Sequence, residues 1–113
     1  MTTTRDDGML MIQIMRWGTE MGLDDALSSI FSEEFDPKGG MDNPSVRTAL
    51  AFGETVGALV KHGHLDRDLA RDIIWFDGIW ARVGHHALAA RAQEDEPSLY
   101  EHFEAMVTRA DVT

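Results

Sequence analysis

The 113 residues carry twenty acids against ten bases, a formal charge of −10, and no cysteine. Without cysteine there are no disulfides, zinc–thiolate centres, iron–sulfur clusters or thiol catalysis, and the acidity argues against a nucleic-acid-binding face. With 43% hydrophobic and 27% charged residues the composition is that of a globular protein, and the length suits a single domain over 1–113.

Residues 1–7 read as a flexible N-terminus, with Asp6 or Asp7 available to cap the first helix. Leu10, Ile14, Trp17 and Met21 recur at helical spacing, and Gly22 is placed to end that helix. A short strand over Met9 to Met15 is the competing reading. Asp24 to Phe35 reads as a second helix, with Leu27, Ile30, Phe31 and Phe35 on one face. Prolines and glycines make 36–44 a loop. Pro44 or Ser45 opens a third helix whose inner side is Val46, Ala49, Gly53, Val56, Gly57 and Val60, with Gly63 at its end.

Asp66 to about Arg91 reads as one long central helix, roughly 39 Å at 1.5 Å per residue. Its seam is Leu69, Ile73, Phe76, Trp80, Val83 and Ala87, while Ile74, Trp75 and Ile79 fall off that seam. Pro97 starts a last helix. Sustained alternation and hairpin turns are missing, so the fold class is all-α, a bundle of four to five helices. The longest apolar run, Met9 to Ile12, is too short to span a membrane, and no secretory signal is recognisable. The expected location is therefore the cytoplasm.

From Ser45 the order of features is distinctive. It runs Ala49-Leu50-Ala51-Phe52-Gly53-Glu54, then Val60-Lys61-His62-Gly63-His64-Leu65-Asp66, then Trp80, Arg91 and Pro97-Ser98-Leu99-Tyr100-Glu101-His102-Phe103-Glu104. This pattern resembles a family of small bacterial helical proteins catalogued as a domain of unknown function. The resemblance implies a helical fold and carries over no activity. Many members of that family have an N-terminal membrane helix, which this sequence lacks.

No catalytic signature occurs. His62 and His64 straddle a glycine turn, and His85 and His86 diverge by about 100° on a helix, so all four are weak metal candidates and no metal is expected. Glu54 lies in an apolar stretch and calls for a partner such as Arg47, Arg82 or Arg91. Glu54, Trp75, Trp80 and Arg91 are the candidate ligand-binding residues, with no cofactor implied. Gly53-x-x-x-Gly57 permits close helix approach, expected toward the fourth helix.

Met9, Met11, Ile12 and Met15 spread beyond the first helix's own stripe, as Ile74, Trp75 and Ile79 do beyond the fourth's. One small core cannot cover both sets, so these seven residues are the expected interface of a homodimer. The leading expectation is a non-enzymatic, self-associating protein-interaction module. It binds neither nucleic acid nor membrane, and a further protein partner is left open. The alternative is a small-ligand or metal-dependent enzyme with an interhelical pocket near Glu54 and His85/His86.

Overall fold

The computed structural model describes residues 4–38 and 42–108. Within them the chain forms six helices and no strand: α1 (Arg5–Glu20), α2 (Leu23–Ile30), α3 (Pro44–Lys61), α4 (Arg67–Ile73), α5 (Phe76–Glu94) and α6 (Glu101–Thr108). The all-α class holds, with more and shorter helices than the sequence pattern suggests.

Helix α1 starts inside the segment expected to be flexible. Thr4 Oγ1 accepts from the Asp7 N–H at 3.2 Å, and the Asp7 carboxylate accepts from the Thr4 N–H at 2.8 Å. Asp7 is thus the third-position partner of a Thr4 cap, not the cap itself. Residues 9–15 are helical, which excludes the strand reading. Gly22, at φ +84°, turns the chain straight into α2.

Helix α2 ends at Ile30, short of Phe35, because α5 intercepts its carbonyls. Arg82 Nε donates to the Ile30 carbonyl at 2.7 Å and Nη2 to that of Ser32 at 3.0 Å. The chain unwinds there. Phe31 turns outward and leaves the inner face, while Phe35 lies beneath the Arg82 guanidinium, 5.2 Å from its ring centroid.

Helix α3 is the central element and packs against α2, α5 and α6. The Asn43 side chain accepts from the Ser45 N–H at 2.8 Å and Pro44 occupies the first turn. At the other end Gly63, at φ +78°, lets its own N–H reach the Val60 carbonyl and that of His64 the Leu59 carbonyl.

The long fourth helix does not exist as one piece. Ile74 is extended, and Trp75, at φ −77° and ψ 67°, centres an inverse γ-turn in which the Phe76 N–H donates to the Ile74 carbonyl at 2.7 Å. An unbroken helix would leave Ile79 on an uncovered back. The turn instead brings Phe76 and Ile79 into the core and leaves Ile73 exposed, off the seam expected for it. Arg71 and Asp77 clamp the break through two hydrogen bonds, 3.0 and 2.5 Å. Gly78 seats the Trp75 indole, since a Cβ there would collide with the ring and push it aside.

The last helix likewise starts late. Residues 97–100 form turns, with Tyr100 at φ +59°, and α6 begins at Glu101. A series of ring contacts joins the elements. Trp17 stacks on Phe52 at 5.3 Å and Phe52 on Phe76 at 6.0 Å. Phe76 meets Phe103 edge-on at 6.0 Å, and Trp80 does so at 5.0 Å. Among the described residues no helix is long and apolar enough to cross a membrane.

Candidate association surface and the Glu54 cluster

Two regions hold the residues singled out by sequence. The first is the seam between α3 and α6. Gly53 faces the Phe103 ring and Gly57 the His102 backbone, so closely that a Cβ at either position would overlap them. The glycine pair therefore admits α6, not the fourth helix. Between the two glycines stands Glu54. Its Oε1 accepts from the His102 and Phe103 backbone N–H groups, each at 2.9 Å, and its Oε2 meets His102 Nδ1 at 2.6 Å.

Glu54 thus caps α6 from another helix. A carboxylate at a helix N-terminus satisfies orphan donors and complements the dipole. This explains why α6 begins at Glu101 and not at Pro97. It also replaces the expected arginine partner. Arg91 instead pairs with Glu104 at 3.0 Å and donates through Nε to the Leu99 carbonyl at 2.7 Å.

His62 and His64 are exposed around the Gly63 turn, and the His62 ring lies 6.3 Å from that of His102. A cavity of about 540 Å³ beside Glu54 is lined by Thr55, Ala58, Leu59 and these two histidines. Trp75, Trp80, Arg91, His85 and His86 take no part in it. The candidate ligand residues are therefore not brought together. Among the described residues no three histidine or carboxylate groups are placed to share a metal ion.

His85 is exposed while His86 is buried, as their divergence requires. The His86 ring tilts against Phe35 at 5.4 Å, and its Nδ1 has no hydrogen-bond partner. Burial holds His86 below the usual imidazole range, with the Asp36 charge opposing that effect and His85 adding to it.

The second region is the outside of α1 and the α4–α5 turn. Met9 is 55% exposed, Ile12 69% and Met15 47%. Trp75 is 70% exposed and stacks on the exposed Phe31, at 5.9 Å and 9° between planes. Ile73 is exposed beside it and Ile74 half-buried. Two of the seven residues expected at an interface belong elsewhere: Met11 and Ile79 are 0% and 2% exposed, inside the chain's own core.

Three participants have little or no signal in the sequence. His102 carries none, since its link to Glu54 spans 48 positions. Spacing alone gives Ile73 and Phe31 inner faces, because it misses where their helices end. The Arg71/Asp77 pair, six apart across an apolar run, is the available sign of a break.

Comparison with curated proteins and with solved structures finds no match. Among protein families, the one described as a domain of unknown function, DUF4760, matches residues 4–110. The features read from Ser45 onward fall within that match, and the chain belongs to the DUF4760 family.

Proposed function

We propose that this chain is a non-enzymatic protein-interaction module that works as a homodimer. The observation that carries this reading is the run of large apolar side chains on the outside of α1, Met9, Ile12 and Met15, together with the exposed Trp75. Isolated exposed apolar residues are ordinary, but three on one helix, with the exposed Phe31–Trp75 pair elsewhere, are more apolar surface than water solvates well. Methionine suits such a surface, because its flexible thioether packs against irregular partners. The Glu54 cluster agrees with the same reading: both carboxylate oxygens accept from groups of α6, a capping role that accounts for the residue without a ligand.

Sedimentation equilibrium at micromolar concentration tests the proposal. The wild-type chain should sediment at twice its 12.6 kDa mass. Ile12→Asp should sediment as a monomer while keeping its helical circular dichroism. A wild-type monomer throughout the range would overturn the proposal.

A further inference from the structure

The outer face of α1 is not simply apolar. At 100° per residue, Arg5, Met9, Ile12 and Arg16 form one stripe, opposite the buried Asp7, Met11, Ile14 and Gly18. Arg5 and Arg16 are exposed at the two ends of this stripe, and neither has an ion-pair partner among the described residues. They stand out in a chain of charge −10, where Arg71 and Arg91 hold carboxylates and Arg82 holds carbonyls.

The α4–α5 turn has the opposite character. A notch of about 450 Å³ is lined by Asp68, Asp72 and Asp77 around Trp75, with Arg71 held by Asp77. Asp68 and Asp72 are exposed and, like the two arginines, have no ion-pair partner among the described residues. Apolar surface continues beyond the notch through the Phe31–Trp75 stack.

We infer that these are the two halves of one self-complementary interface: the Arg5–Met9–Ile12–Arg16 stripe of one copy seats on the Asp68–Asp72–Trp75 notch of a second copy, and the reverse. The inference rests on the homodimer reading above and specifies its contacts. Charge is the first argument. Two copies at −10 repel overall, so contact is favoured where an unpaired basic stripe meets an unpaired acidic rim, which also sets the register. Composition is the second, because methionine and isoleucine on one half meet indole and phenyl on the other.

Closure is the third argument. Helix α1 packs beside α4, and the Asp66 N–H at the start of α4 donates to Asp7 Oδ1 at 3.2 Å. That contact ties the two elements together on the inner face of α1, opposite the stripe, and in a two-fold dimer each stripe-to-notch contact is repeated by symmetry.

Charge exchange tests the pairing. Arg5→Glu/Arg16→Glu makes the stripe acidic, and Asp68→Lys/Asp72→Lys makes the notch basic. Each variant alone then opposes like charges in both contacts, whereas a one-to-one mixture restores attraction in both. Native mass spectrometry should find a wild-type dimer, each variant weakened by about tenfold or more, and a mixed dimer in the equimolar solution. Circular dichroism checks that both variants stay folded, with Asp72→Lys alone replacing the double variant if that one does not. A wild-type dimer whose variants associate undiminished, or whose mixture gives no mixed dimer, overturns the pairing and leaves the homodimer reading intact. A wild-type monomer overturns both.

Discussion

The α3–α6 seam and the outer face of α1 treat their awkward residues in opposite ways. At the seam the difficult groups of α3 are matched within the chain. Two glycines remove bulk where Phe103 and the His102 backbone arrive, and the Glu54 carboxylate caps the arriving helix. On α1 the difficult groups are left over, with apolar side chains in water and two arginines without carboxylates. The lesson is that a polar residue among apolar neighbours is not by itself a site. Glu54 draws chemical interest because it sits among apolar neighbours, and both of its oxygens accept from groups that start α6. The residues left facing water are the plain ones: methionine, isoleucine, tryptophan and arginines without an ion-pair partner among the described residues.

The largest expected effect lies at the seam. Phe103→Ala removes a fully buried ring that meets both Phe76 and Trp80 and fills the space over Gly53. It should cost about 3–5 kcal/mol in urea unfolding. A loss below about 1 kcal/mol would mean that the seam holds less of the fold than its packing implies.

Next comes the cap. Glu54→Ala orphans two backbone donors and the His102 imidazole, for about 1–3 kcal/mol. Glu54→Gln keeps an acceptor for the backbone and should lose less. If the two variants lose the same amount, the His102 contact and not the backbone cap carries the residue's contribution.

A smaller effect belongs to His86. Its folded-state affinity for protons lies below the usual value near 6.5, so the unfolded chain takes up a proton first. The stability tied to neutral His86 is complete above pH 6.5 and is lost as pH falls from there through its lowered value. Urea midpoints should therefore decline on mild acidification, and His86→Leu should flatten the decline. A wild-type profile with no decline in that range would sink the assignment.

Much of this was legible in the sequence. The stripe Leu10-Ile14-Trp17-Met21 located α1, Pro44 and the inner face from Val46 to Val60 located α3, and Gly63 marked the end of α3 through the left-handed conformation it supplies. Helix ends set by distant residues were not legible. Arg82 stops α2 from fifty positions away, and Glu54 sets the start of α6 from another helix. The break at Trp75 was hidden because Leu69 to Ala87 keeps a helical period on both sides of it, and because Gly78 is the seat of the indole. Of the expected interface, Met9, Ile12, Met15 and Trp75 lie outside, whereas Met11 and Ile79 turn inward once the correct helix faces are set. Spacing places residues on faces, but only the packing partner decides which face is wet.

The most direct test of the contrast couples stability to association. If the outer face of α1 is completed by a second copy, the melting temperature must depend on protein concentration, since dissociation accompanies unfolding. The wild-type midpoint should rise by about 5 °C over a hundredfold increase in concentration. Ile12→Asp, an exposed substitution that costs the isolated fold no more than about 0.5 kcal/mol, should melt at one temperature throughout. A wild-type midpoint that does not move with concentration would contradict the account.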